Sequence, residues 1–194
     1  MVLQAAARGW RLFPVCRCDD VSYPERKRGK IPLVMGWPRQ ATNNLEKLEA
    51  WAAQYPGCNW GMATGAASGV VVIDIDGPEG RAAVAGLERA GCALPSTLTV
   101  TTGRIDGGEH RCYLAPPGVA IRNSSGRLGP HIDVRGTGGY AVIPPSTHET
   151  GKQYRYVDPD AAIAELPGWV VARLERLRVS PSPAPHSNII GILR

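Results

Sequence analysis

A single phenylalanine among 194 residues leaves aromatic packing to five tryptophans and six tyrosines. No apolar run approaches 18 residues, so no ordinary membrane-crossing helix is expected, and the N-terminus lacks the pattern of a secretory leader. The chain is therefore expected in the cytoplasm, with no membrane partner and with reduced thiols. Its five cysteines, at 16, 18, 58, 92 and 112, are odd in number and scattered. No C-x-x-C occurs, and Cys16-x-Cys18 alone does not make a zinc ligand set. No internal repeat is visible, and strict βαβ alternation is missing, which argues against a doubly wound parallel sheet. Charge of one sign is also not in great excess: 22 Lys+Arg against 17 Asp+Glu leaves +5, compatible with a polyanionic partner without requiring one.

What is present begins with Val70-Val71-Val72-Ile73-Asp74-Ile75-Asp76-Gly77. Four β-branched residues in a row read as a buried strand. Side chains alternate along a strand, so Asp74 and Asp76 share one face with Cα atoms about 6.5 Å apart, while Val71, Ile73 and Ile75 face the other way. Two carboxylates so close repel by about 4 kcal/mol at 4 Å and an effective dielectric near 20, and a cation between them relieves that. Hard oxygen ligands suit Mg2+ or Mn2+, and paired ions of this kind serve phosphoryl transfer. Acids that merely cap the turn before Gly77-Pro78 give the same local pattern.

A hydrophobic fraction of 43% and this length suit about one domain with a true core. Along the chain, 2–8 read as a short helix stopped by Gly9, and 10–15 as a strand. Residues 19–30 form a polar loop carrying Glu25-Arg26-Lys27-Arg28-Gly29-Lys30. Asn43 or Asn44 caps a helix whose apolar face is Leu45, Leu48, Trp51 and Ala52. Residues 59–65 are a strand with a glycine turn, and a helix with Pro78 in its first turn follows the central strand to about 90. The segments 97–102 and 109–114 read as one hairpin, and 131–135 with 140–143 as a second one about Gly136-Thr137-Gly138-Gly139. The stretch 115–130 reads as irregular. Short helices are expected over 159–165 and 167–178, and a proline-containing tail over 179–194. The fold class expected is α+β with a largely antiparallel sheet.

His110 and Asp133 join the Asp74/Asp76 pair as chemistry-bearing residues on strands beside glycine-rich turns. In an antiparallel meander these can fall on one face, Asp133 adding a third carboxylate and His110 facing phosphate. Each also has a plainer role available: a satisfied strand histidine, or an aspartate bonded within its own hairpin.

The run Thr64-Gly65, Val71 to Gly80, Thr102-Gly103-Arg104 with Gly107-Gly108-Glu109-His110, Arg122-Asn123, and Gly129 to Ser146 resembles the bifunctional DNA primase/polymerase (prim-pol) family of the archaeo-eukaryotic primase superfamily. The likeness spans roughly residues 3–175, and its motifs are specific in combination: D-x-D, a small-x-His, and a later Asp opening D-V-R-G. It implies an RRM-like catalytic half, about 66–178, packed against an N-terminal α/β unit, about 1–65, making one domain over 1–178. It implies that Asp74, Asp76 and Asp133 hold two divalent ions, Mg2+ or Mn2+, and that His110 contacts the triphosphate of an incoming nucleotide. Gly108 falls at the same phosphate turn. Arg122, Asn123, Arg127 and Arg135 are candidates for phosphate, sugar or template contacts from charge and position, and Lys30 for the basic loop. The implied activity is template-directed nucleotidyl transfer, as DNA primase, DNA polymerase or both, in replication or repair. The partners implied are a single-stranded DNA template and primer, nucleoside triphosphates and a replicative helicase. Two departures stand out: Ile105-Asp106 lengthens the turn before His110, and Cys112 replaces a bulkier residue before Tyr113. Two other functions compete: a two-metal phosphohydrolase or nuclease, and a non-catalytic module binding single-stranded nucleic acid.

Overall fold

The computed structural model describes residues 1–179. Their elements run α1 (Val2–Ala7), β1 (Leu12–Val15), α2 (Trp37–Gln40), α3 (Leu45–Gln54), β2 (Asn59–Ala63), β3 (Val70–Asp76), α4 (Gly77–Arg89), β4 (Thr99–Thr101), β5 (Gly108–Leu114), β6 (Ser124–Gly129), β7 (Ile132–Arg135), β8 (Tyr140–Ile143), β9 (Arg155–Tyr156), β10 (Ala164–Glu165) and α5 (Gly168–Val179). The class is α+β, with antiparallel sheets and five helices. No helix among the described residues is long and apolar enough to cross a membrane.

Two sheets carry the architecture. The smaller has the order β1-β2-β8, and the larger β6-β7-β3-β5-β4-β9, with β10 joining β5 in parallel. β3 lies inside the larger sheet and pairs antiparallel with both β5 and β7, which is why its run of Val and Ile is continuous. Its alternation divides the protein's interior. Val71, Ile73 and Ile75 pack with Val84 and Leu87 of α4 and with Val170 and Leu174 of α5. Val70 and Val72 face the other way, into a core shared with Phe13, Trp60, Met62 and Ile143 of the smaller sheet. The larger sheet is thus closed by helices on one face and by the smaller sheet on the other.

Local rules account for several boundaries. Asn44 caps α3, its side chain accepting a hydrogen bond from the Lys47 amide at 2.9 Å. Pro78 occupies the first turn of α4, where its missing N–H costs nothing. The polar loop contains one 3-10 turn, Glu25–Lys27.

Three segments differ from their local pattern. The hairpin expected over 131–143 does not form: β7 pairs with β3 and β6, while β8 crosses to the smaller sheet beside β2. Gly136–Gly139 is the crossing, drawn over by Thr64, whose amide donates to the Gly139 carbonyl at 2.9 Å and whose hydroxyl donates to the Gly136 carbonyl at 2.7 Å. Within the stretch expected to be irregular, Ser124–Gly129 becomes β6, an edge strand that finds its partner in β7. The helix expected over 159–165 is replaced by β10. There the Ala164 amide donates to Thr97 Oγ1 at 3.0 Å, and the Leu98 amide donates to the Ala162 carbonyl at 3.0 Å. Sheet-edge bonding takes the backbone groups that a single helical turn would use. Beyond Val179, the tail lies outside the described residues.

Candidate active site

The register of β3 determines which side chains meet. Asp74 stands directly opposite Asp133 of β7 on one side and His110 of β5 on the other. Directly opposed residues share a face, so Asp133, Asp74 and His110 form a row across three strands. Asp76, two residues on, lies on that same face opposite Gly108. Here the cover of the smaller sheet ends, and the valine positions of β3 give way to carboxylates over a cleft of about 360 Å3.

Arg135 ties the row together. Its Nη2 donates to Asp74 Oδ2 at 2.9 Å and to Asp133 Oδ2 at 3.0 Å, and its Nε to Asp74 Oδ2 at 3.3 Å. Arg104 does the same one step along: Nη1 lies 3.5 Å from Asp76 Oδ1, while Nε and Nη2 donate to the Asp106 carboxylate at 2.9 and 2.8 Å. Asp106, one of the two residues that lengthen the turn before His110, therefore fixes a cation beside Asp76. The Asp76 amide donates to the carbonyl of His131 at 2.9 Å, a residue in the left-handed region at φ 57°.

Electrostatics follow from burial. Asp74 and His110 are each only 8% exposed. Burial holds the His110 imidazole below its ordinary range, against the opposing pull of Asp74. Its Nε2 stands 3.5 Å from Asp74 Oδ1, whereas Nδ1 is buried with no hydrogen-bond partner, as is Thr102 Oγ1. Burial, then the Asp74 charge, pushes Asp76 above the usual carboxylate range, with Arg104 opposing. Arg135 is held above its ordinary value, its acidic neighbours outweighing its partial burial.

The far wall comes from the smaller sheet and the loops beside it. Tyr140 donates its hydroxyl to the Lys30 carbonyl and meets Trp37 edge-on at 5.1 Å, while Trp37 stacks on Phe13 at 4.4 Å. Tyr154 stands between His110 and His148, with ring centroids at 5.9 and 6.0 Å. Burial, then Lys30, lowers the His148 pKa, and burial raises that of the Tyr154 hydroxyl. Two positions of the joint between the walls, Gly136 and Gly139, have no room for a side chain. A Cβ at Gly136 would stand 2.3 Å from the Ile121 carbonyl oxygen, and one at Gly139 2.1 Å from Asn123 Oδ1, which accepts the Gly136 amide at 2.8 Å.

Of the residues singled out in the sequence, Asp74, Asp76, His110, Asn123, Arg135 and Lys30 line the cleft, and Asp133 adjoins it through Arg135. Gly108 is buried opposite Asp76, where a Cβ would come within 2.5 Å of Thr102 Oγ1. Arg122 and Arg127 lie elsewhere, in a shallow depression against Leu174 and Glu175 of α5. Sequence reading gave no site role to Trp37, Thr102, Arg104, Tyr140, His148 or Tyr154, all of which line the cleft, although Thr102, Arg104 and Tyr140 fall within the motifs that carry the resemblance. His148 carried a signal in hindsight, as the histidine closing Pro144-Pro145-Ser146-Thr147-His148 just past a strand.

Among the described residues, no group of three or more His, Cys, Asp or Glu stands at metal-holding spacing. The donor chemistry nevertheless suits a hard divalent cation: carboxylate oxygens on one face of adjacent strands, two of them already sharing one cationic nitrogen, Arg135 Nη2. Compared with protein-family models, residues 2–169 match the one described as bifunctional DNA primase/polymerase, N-terminal. No significant match is found among curated proteins.

Proposed function

The chain belongs to the bifunctional DNA primase/polymerase family, and on that premise we propose that it joins nucleoside triphosphates on a single-stranded DNA template, extending a primer or an initiating nucleotide. One observation supports this reading above the others: Asp74, Asp76 and Asp133 gather on one face of the sheet, at a cleft with an imidazole and two arginines.

Asp74, Asp76 and Asp133 would hold Mg2+ or Mn2+. When bound, the metal neutralises phosphate charge and lowers the pKa of the attacking 3′ hydroxyl. The chain's own residues do the rest. Arg135 keeps Asp74 and Asp133 together before substrate arrives, and its guanidinium, 37% exposed, can turn to a phosphate oxygen once the carboxylates are otherwise neutralised. Arg104, anchored by Asp106, and Lys30 supply further positive charge to the β and γ phosphates. His110, which lines the cleft, is kept neutral by burial and has one N–H to donate to a ligand oxygen. Trp37 and Tyr140 give the nucleotide base an apolar wall. The 3′ oxygen then bonds to the α-phosphorus as pyrophosphate leaves, in a site whose charges are fixed beforehand.

The test is incubation with a primed single-stranded template, ribo- and deoxyribonucleoside triphosphates, and Mg2+ or Mn2+. Extended product with matching pyrophosphate release is expected, abolished by Asp74→Ala. Cleaved strand without pyrophosphate, or synthesis untouched by Asp74→Ala, overturns the proposal.

A further inference from the structure

Beside the cleft, and sharing Arg104 with it, lies a second and larger concavity of about 810 Å3. Its cations come from segments far apart in sequence: Arg81 on α4, Arg104 in the β4–β5 turn, Lys152 before β9 and Arg155 on β9. The one carboxylate lining it, Glu109, is taken up by Arg111 Nε at 3.0 Å. Lys152 and Arg155 are exposed and meet no carboxylate among the described residues. Among the described residues no aromatic side chain lines this surface, in contrast to the cleft with Trp37, Tyr140 and Tyr154. The floor is firmly built: Thr150 Oγ1 donates to the Gly103 carbonyl at 2.7 Å, and the His148 amide donates to the Lys152 carbonyl at 2.8 Å.

A groove that is cationic, rich in backbone and free of aromatic platforms suits phosphodiester rather than bases. A templated reaction needs such a path next to its nucleotide site, because the base being copied must enter the cleft while its sugar-phosphate chain continues outside. We propose that the surface formed by Arg81, Lys152 and Arg155, with Arg104 marking its border with the cleft, carries the backbone of the single-stranded template where it leaves the cleft. This rests on the reading of the cleft as a nucleotidyl-transfer site.

The experiment measures binding of a fluorescently labelled single-stranded oligothymidylate across a salt series in metal-free buffer. Wild type is compared with Lys152→Ala/Arg155→Ala, with the conservative pair Lys152→Arg/Arg155→Lys, and with Arg173→Ala/Arg176→Ala. The last removes the same charge from exposed positions on α5, beyond the helix-covered face of the sheet. Each phosphate contact to a single strand contributes about 0.7 to the slope of log affinity against log salt. The alanine pair should therefore lower that slope by about 1.4, an affinity loss of about 25-fold at 0.1 M salt relative to the 1 M extrapolation. The conservative pair and the α5 pair should keep the slope, and dTTP affinity should be unchanged in all three. An unaltered slope in the alanine pair, an equal fall in the α5 pair, or loss of dTTP affinity in place of oligonucleotide affinity overturns the proposal. Groove-dependent strand binding by a wild-type protein that makes no product on a primed template would refute nucleotidyl transfer and leave the groove standing.

Discussion

The two faces of β3 share one backbone and divide its seven residues between them, yet they do different work. One face, Val71, Ile73 and Ile75, is sealed by α4 and α5. The other starts alike, with Val70 and Val72 against the smaller sheet, then turns to Asp74 and Asp76 where that cover stops. Burial of apolar area on the first face stabilises the fold. On the second, carboxylates are held close together and largely out of water, an arrangement that costs stability unless cations offset it. Arg135 and Arg104 offset it here. Stability and chemistry are thus separated by the two-residue period of a strand, and substitutions on opposite faces should fail in opposite ways.

The largest effect is expected at Asp74. Replacement by alanine should reduce primer extension by about three orders of magnitude, about 4 kcal/mol of transition-state stabilisation, while the urea midpoint stays close to wild type. If synthesis survives while the protein unfolds, the division between faces is wrong. One residue away, Ile73→Ala should do the reverse. Its side chain is fully buried, and its loss should lower unfolding free energy by about 2–5 kcal/mol, with extension per folded molecule little altered. Arg135→Met sharpens the polar side. With the guanidinium gone, Asp74 and Asp133 face each other uncompensated, and metal-free stability should fall by about 1 kcal/mol, the partial exposure of Arg135 keeping the effect modest. Thermal melts with added Mg2+ should recover that loss in the variant and change wild type less.

Titration gives the smallest and most graded effect. Burial holds both His110 and His148 below their ordinary range. Each therefore takes up a proton more readily unfolded than folded, so their stabilisation is complete above about pH 6.5 and is lost as pH falls below it. Denaturation midpoints should drop between about pH 7 and pH 5, and His148→Gln should flatten part of that drop. Asp76 works in the other direction. Its raised value means that its contribution is complete below about pH 3.8 and is lost as pH climbs through the folded value. Asp76→Asn should accordingly melt higher than wild type at neutral pH while extending primers poorly, and a lower melting point would contradict this account of the polar face.

Much of this contrast is legible in the sequence because it is local. The valine run, the D-x-D alternation, the Asn44 cap and Pro78 in the first turn of a helix each follow from neighbours within a few residues. What stayed hidden depends on pairing across the chain. Residues 131–143 have the alternation and glycine turn of a hairpin, and only the presence of β2 beside β8 explains why they part. β6 is too poor in β-branched residues to announce itself, and it becomes a strand because β7 offers an edge. The cleft divides in the same way. The acids and His110 lie on strong strand patterns, whereas Trp37 opens the single-turn helix α2, and His148 and Tyr154 arrive from loops whose course no periodicity records. The cations of the second groove, scattered from 81 to 155, look like ordinary surface charges until the turns bring them together.

The glycine joint at 136–139 has a consequence for how the molecule can vary. At Gly136 and Gly139 the main chain meets Ile121 and Asn123 so tightly that not even a methyl group fits. The gape between the two sheets is therefore set like the pin of a pair of tongs, by metal-on-metal contact with no cushion to wear. Side chains along the jaws can be exchanged, and substrate preference retuned, without moving the pivot, whereas an alanine at the pin would spread both jaws at once.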